Sequence, residues 1–257
     1  MAVLHIGIDD TDEPGFAIGT GKLARIIAEA LKNCEIPIID FAVIRHQLLM
    51  DPAIPYTSHN SPASIMLSID CDDSAIRNII RKRSHTICKR LILDNCAPSS
   101  DPGICIAFDD EISSSLTTFG FHAASRVLTK QEAYDAAGAQ ILLEELGGTG
   151  DGIIGSAAAV GLSHTGNTGR YLEFNGLLRS QVSSVRANFL RSHGITLLCI
   201  TKTADPIPDD AEIELACWPR PRRLFDSPVL LIEKKERAWI LFDQKSKKEK
   251  SVDKNHD

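Results

Sequence analysis

The chain has 257 residues, 43% of them hydrophobic, and 34 acidic against 28 basic side chains leave a formal net charge of −6. That length accommodates one large or two modest domains, no apolar run reaches the ~18 residues of a membrane span, and the start lacks the basic-then-apolar layout of a secretory signal. The acidic balance argues against a general nucleic-acid coat and leaves room for a local basic groove.

The first predicted element is the apolar run Val3–Ile8, which has strand character and feeds into Asp9-Asp10-Thr11-Asp12. Three carboxylates this close repel and raise one another's pKa unless something positive stands beside them. With no His or Cys neighbour, the cation that suits them is Mg²⁺ shared with substrate phosphates. Pro14, Gly15 and Gly19-Thr20-Gly21-Lys22 then lead into a helical pattern over Lys22–Asn33. Strand, acidic turn, Gly-bearing loop and helix start together form a phosphate-binding arrangement, because free backbone N–H groups gather there. A solvated, Asx-capped turn is the plainer alternative. The Walker A pattern GxxxxGK[ST] and the dinucleotide pattern GxGxxG are both absent.

Strand character recurs at Ile38–Ile44, Ser64–Ile69 and Ile104–Phe108, and helical periodicity at Ser74–Leu93, Ser113–Leu128 and Gln131–Leu146. Arg45-His46, ending the second strand, are candidates to face phosphates. The segment Asp51–Ala63 has two X-Pro steps, which force an extended path, and carries Tyr56, Thr57, Ser58, His59 and Asn60. Ser99–Gly103 is ordinary turn chemistry when read singly. A second Gly-rich loop, Gly147–Gly152, runs into the small-residue segment Gly155–Gly161; small side chains on a helix let another backbone or a ligand approach closely. Beyond it, Tyr171–Leu177, Ile195–Ile200, Glu212–Cys217, Val229–Ile232 and Ala238–Phe242 read as strands and Val182–Arg191 as a helix. Alternating strands and helices predict an α/β to α+β fold. The expected units are residues 1–162, a smaller α+β unit at 163–244, and a charged disordered tail at 245–257.

The seven cysteines show no CxxC spacing, so no zinc ribbon or thioredoxin motif is readable. Their odd number and apolar neighbours predict buried free thiols and a reducing, cytoplasmic setting. His5, His59, His122 and His164 are scattered, and their spacing does not suggest a metal site. Gly155-Ser156-Ala157 is not a GxSxG nucleophile elbow.

Taken together, Gly7-Ile8-Asp9-Asp10-Thr11-Asp12 with Thr20, Ile54-Pro55-Tyr56 with Asn60, Asp101-Pro102-Gly103, and Gly150-Asp151-Gly152-Ile153-Ile154-Gly155 with the run through Gly161 resemble the archaeal tRNA-isoleucine agmatinylcytidine synthetase (agmatidine synthetase) family. The likeness falls in its kinase-type domain, in family order, over roughly residues 3 to 165. The resemblance implies a kinase-type domain with a mixed sheet and a ferredoxin-like unit embedded in it or following it. It also implies ATP-dependent activation of a tRNA wobble cytidine at its C2 oxygen by phosphorylation, followed by displacement of phosphate by agmatine. Asp9, Asp10 and Asp12 would hold Mg²⁺ and ATP phosphates, and Thr20 falls where the family has a phosphorylated threonine. Gly19, Gly21, Lys22, Asn60, Gly150, Asp151, Gly152 and Gly155 would line the nucleotide.

The chain departs from the family in having no counterpart of its tRNA-binding OB-fold or zinc ribbon. Tyr56-Thr57-Ser58 stands where the family has Tyr-Lys-Thr, and Glu144 and Glu145 replace basic positions before the second Gly loop. The expectation is therefore an ATP- and Mg²⁺-dependent phosphoryl-transfer or ligase-type enzyme whose acceptor is a nucleoside or small metabolite. Two rivals remain open: tRNA modification with a partner subunit, and a non-catalytic nucleotide-binding module. Arg220–Arg223 is the basic cluster to which a tRNA would be assigned, and the oligomeric state is left open.

Overall fold

The computed structural model describes residues 1–57, 59–174, 177–180, 183–201, 205–215, 217–236 and 238–242. Ser58 and the predicted tail at 245–257 lie outside them. The chain divides into two compact units, Met1–Asn175 and Gly176–Asp257, so residues 163–174 belong to the first.

The first unit has strands β1 (Ala2–Asp9), β2 (Ile38–Arg45), β3 (Ala63–Ile69), β4 (Gly103–Phe108), β5 (Leu142–Glu145) and β6 (Arg170–Phe174). Its helices are α1 (Thr20–Lys32), α2 (Ser74–Asn95), α3 (Ser114–Ala123), α4 (Lys130–Ala137) and α5 (Gly152–His164). The strands hydrogen-bond in the order β5-β4-β1-β3-β2-β6, and every pairing is antiparallel. β1 lies between β3 and β4 with Ile6 opposite Ile65 and Ile106.

Alternation along β1 assigns its faces. Phe108, level with Leu4, lies under the guanidinium groups of Arg77 and Arg81 from α2. Phe41 of β2 is on the same face and meets Lys32 of α1. Helices α1 and α2 therefore cover the side lined by Leu4, Ile6 and Ile8, all fully buried; each such side chain contributes about 1.5–3 kcal/mol by leaving water. His5, Gly7 and Asp9 point the other way, onto α5. There α5 packs with α3 and α4 over Cys105 and Ala107 of β4.

The α5 layer is close because small residues line it. A Cβ on Gly7 would fall 2.0 Å from the Ser156 carbonyl oxygen, and one on Gly161 2.2 Å from that of Leu116. Gly120 belongs to α3 for the same reason, since a Cβ there would meet Leu162 at 2.9 Å. The predicted helix Ser113–Leu128 is cut to α3. The expected helix Gln131–Leu146 is corrected further: α4 ends at Gly138, which has φ 67°, and Leu142–Glu145 instead pairs with the free edge of β4. The apolar spacing continues past Gly138, but the left-handed residue ends the helix and the strand edge offers the hydrogen bonds.

The second unit contains β7 (Ser184–Arg186), α6 (Ala187–Ser192), β8 (Thr196–Cys199), β9 (Glu212–Glu214), β10 (Arg222–Leu224), β11 (Ser227–Lys235) and β12 (Ala238–Leu241). Its strand order is β10-β11-β12-β9-β7, with β8 on β11. The β8–β11 and β12–β9 ladders are parallel, so the fold as a whole is mixed α/β with both pairing senses. Of the helix expected at Val182–Arg191, Val182 lies outside the described residues and Ser184–Arg186 is strand β7. The β10–β11 hairpin turns on Phe225 and Asp226, both at positive φ, the geometry a two-residue hairpin needs. None of the helices among the described residues is long and apolar enough to cross a membrane.

The β1–α5 seam yields a stability prediction. Gly7→Ala should destabilise the first unit by about 1–3 kcal/mol or more, the usual cost of overpacking a tight core. Urea unfolding followed by far-ultraviolet circular dichroism measures it; an unchanged midpoint would show that the seam can open without cost.

Candidate functional site

Asp9 ends β1 and Asp10 follows with φ 52°. A non-glycine residue at positive φ is strained unless its surroundings hold it. Here the turn is pinned on its far side, where the Thr11 carbonyl accepts from the Ala97 amide at 3.0 Å and the Thr11 hydroxyl meets that of Thr20 at 3.0 Å. Thr11 and Thr20 are both buried, so Thr20 fastens the start of α1 to the acidic turn.

Two helix starts converge on these carboxylates. Neither Gly19, the cap of α1, nor Asp151, the cap of α5, makes a side-chain cap hydrogen bond. A Cβ on Gly19 would stand 2.9 Å from Asp12 Oδ2, and one on Gly155 1.7 Å from Asp9 Oδ2. Asp12 and Asp9 are thus lodged against the first turns of α1 and α5, Asp9 in space that only glycine leaves. Positive helix ends favour anions, yet the group as a whole is over-loaded. Loss of hydration, opposed by the Asp10 amide and reinforced by the charges of Asp10 and Asp12, pushes the Asp9 pKa up to about 7. Loss of hydration and the carboxylates of Asp101, Asp12 and Asp151 push Asp10 up to about 6. Five aspartates therefore share one field. Asp12 also accepts from the Thr57 hydroxyl at 3.3 Å.

The second Gly loop is brought to the same place. The Gly152 amide donates to the Asp101 carbonyl at 3.1 Å, and a Cβ on Gly152 would meet Asp9 O at 3.1 Å. Asp101 is the staple: its carboxylate accepts from the Thr149 amide at 2.9 Å and the Thr149 hydroxyl at 2.7 Å. The Gly150 amide is taken by the Gly147 carbonyl, and Gly150 itself lies against Glu145 rather than Asp9.

The other expected residues have local duties. Gly21 packs on Leu172. Exposed Lys22 reaches the Ala17 carbonyl at 3.4 Å. Asn60 braces its own segment, donating from Nδ2 to the Leu49 carbonyl at 2.8 Å while its carbonyl accepts from Leu48. Arg45 donates to Ser61, and buried His46 meets Ser64 and Thr168, so both are held by their neighbours. Buried Ser156 donates to the Ile153 carbonyl. Glu144 pairs with Lys89 and His85. Arg223 is buried and paired with Asp226 at 2.7 Å, and Arg220 lies over Trp218.

Lys130 is the residue that spacing could not reveal. From the start of α4 its Nζ contacts the Thr149 carbonyl and stands 3.3 Å from Glu145 Oε2, placing a cation beside the second Gly loop. Spacing also hid a cluster elsewhere in the unit: His5 and His164 meet on Asp109, the one group among the described residues whose three ligand atoms all lie within 4.8 Å of one another. Asp9, Asp10 and Asp12 do not close to that spacing.

The raised pKa values carry a sign. A carboxyl whose pKa is higher folded than unfolded favours the fold while protonated, and that advantage is lost as pH rises from about 4 through about 7. Asp9→Asn should therefore stabilise the metal-free protein at pH 8 much more than at pH 4.5. The gain is bounded by about 4 kcal/mol at ~1.36 kcal/mol per pKa unit. Equal effects at both pH values in urea titrations would remove the strained-carboxylate assignment.

No family model and no curated protein matches the chain. Solved structures similar to part of it include the following three. The complex of TiaS with its isoleucine tRNA and ATP is 24% identical with a TM-score of 0.49, covering 63% of this chain and 36% of that one. A tRNA fluorescent labeling enzyme is 26% identical with a TM-score of 0.48, covering 62% and 36%. Apo TiaS, the agmatidine synthetase of that tRNA, is 20% identical with a TM-score of 0.48, covering 74% and 43%. The chain thus spans less than half the length of each.

Proposed function

We propose that this chain binds Mg²⁺·ATP at the Asp9–Asp12 turn and transfers a phosphoryl group to a nucleoside or small-metabolite acceptor. The observation that carries the reading is the seating of Asp9 and Asp12 against the glycines of two helix starts, with Asp9 and Asp10 both pushed towards neutral pH. Carboxylates in that state at pH 7 await a cation. Mg²⁺ fits the donor set: it takes hard oxygen ligands and is commonly held by one or two carboxylates with substrate phosphates and water completing the shell. Their open spacing is what such a shared site requires. The resemblance read from the sequence points the same way.

In this reading Asp9, Asp10 and Asp12 hold the cation. The amides opening α1 at Thr20 and Gly21, with Lys22, meet phosphate oxygens on one side. Asp151, Gly152, Gly155 and Lys130 border them on the other, and Gly150 shapes the loop that carries them. Bound Mg²⁺ supplies charge neutralisation of the phosphates. The protein's own contribution is positioning: the Thr11–Thr20 and Asp101–Thr149 contacts fix the two loops across the acidic turn, so little reorganisation remains when charge develops. Thr20 either contacts phosphate or accepts it. Asn60 and Tyr56 lie on the segment that brings Thr57 to Asp12, where an acceptor would approach.

Titration calorimetry with a non-hydrolysable ATP analogue tests the site. Binding should be tighter with Mg²⁺ than without it, and Asp9→Asn and Asp12→Asn should each weaken the Mg²⁺-dependent part at least about tenfold, ~1.4 kcal/mol. Unchanged affinity in both variants would overturn the assignment. Acceptor size is tested separately by filter binding of total tRNA at moderate salt. The expectation is affinity no better than the non-specific range of ~10⁻⁴–10⁻⁶ M; sub-micromolar, salt-sensitive binding would replace the small acceptor with tRNA.

A further inference from the structure

The opposite end of the β1–α5 pair carries a second cluster, remote from the acidic turn. His5 lies four residues before Asp9 on β1, roughly 13 Å along an extended strand. Its Nε2 is 2.9 Å from Asp109 Oδ1, and His164 Nδ1, in the last turn of α5, is 2.9 Å from the same oxygen. His5 is 1% exposed, His164 31% and Asp109 49%, so the group is walled in on the β1 side and open to solvent on the other. From these contacts we infer that His5, Asp109 and His164 form a binding site for a divalent transition-metal ion of the Zn²⁺ class, with three protein ligands and one position left to solvent.

Four features support it. Two imidazoles and a carboxylate are a donor set suited to Zn²⁺ and its neighbours rather than to Mg²⁺. The atoms already lie within 4.8 Å of one another, and ligand bonds of ~2.0–2.2 Å need only a small spreading of the 2.9 Å contacts. The second nitrogen of His5 is oriented: Nδ1 is 3.2 Å from the buried Ser163 hydroxyl. That hydroxyl can donate to the ring when Nε2 carries the proton, and accept from Nδ1 when Nε2 turns to a metal. A ligating histidine commonly has such a partner. Finally, the charges around the site are already sorted. In the short turn Asp109–Glu111, Asp110 pairs with Arg77 at 2.7 Å and Glu111 with Arg81. Asp109 alone turns to the imidazoles. The carbonyl end of α5 adds a negative field that favours a cation.

Co²⁺ titration of the full chain in excess Mg²⁺, which competes for the acidic turn, tests the site. The expected result is one saturable equivalent with visible d–d bands and no thiolate charge-transfer band, bleached by Zn²⁺. His164→Gln, at the accessible ligand, should weaken Co²⁺ at least tenfold with the circular dichroism spectrum retained. Ser163→Ala should weaken it about tenfold through the orienting contact alone. Asp12→Asn should leave it unchanged, which separates this site from the nucleotide site. No saturable equivalent, indifference to His164→Gln, or loss in Asp12→Asn would each overturn the assignment and leave the three residues as a hydrogen-bonded brace.

Discussion

The close approach of α5 to β1 is the constraint on which the first unit depends. A helix packed on a sheet through side chains of ordinary size is held off by the depth of those side chains. Here the seam is Gly7 against the Ser156 carbonyl, Gly103 against Gly152, and Asp9 against Gly155, with Ala157, Ala158 and Ala159 all buried along the same helix. Each glycine is occupied to the point where one added carbon would collide with backbone or with a carboxylate. The small residues bring the first turn of α5 onto the carboxylate of Asp9 and its last turn onto the ring of His5.

That geometry explains why the acidic turn is both fixed in place and electrostatically loaded. Helix starts attract carboxylates, so Asp9 and Asp12 are drawn to α5 and α1. The same close packing excludes water from the turn, and desolvation is the largest influence on both Asp9 and Asp10. Asp101 shows how the conflict is contained. It holds the second Gly loop through the Thr149 amide and hydroxyl and its carbonyl caps the entry of α5, yet its charge adds to the load on Asp10. A residue that builds the loop also adds to the repulsion there.

What the sequence made legible follows from what is local. The apolar run ending in Asp9–Asp12, the helix opened by Gly19-Thr20, and strands β2, β3 and β4 are each written in a contiguous stretch, and the structure places them there. The union of the acidic turn with Gly152 and Gly155 was readable only as family order, since nothing in residues 9–12 points to glycines so far along the chain. The α4–β5 stretch was misread because its apolar spacing suits a helix while Gly138 and the edge of β4 decide otherwise. Lys130 and the His5–Asp109–His164 group were invisible for the same reason: His5 meets Asp109 across 104 positions and Ser163 across 158. Scattered histidines are scattered only in sequence.

One strand and one helix therefore position two sets of donors of opposite character. At the Asp9 end the donors are hard oxygens in excess, wider apart than a closed cage, beside a helix start that attracts anions. At the His5 end the donors are two nitrogens and one oxygen, close together beside a helix end that attracts cations. The difference arises from the direction of α5 along β1, which sets the positive end of the helix over Asp9 and the negative end near His5. Reversing that direction would set the negative end of the helix over the aspartates, so the antiparallel run of α5 over β1 suits the charge of the acidic turn as well as the packing.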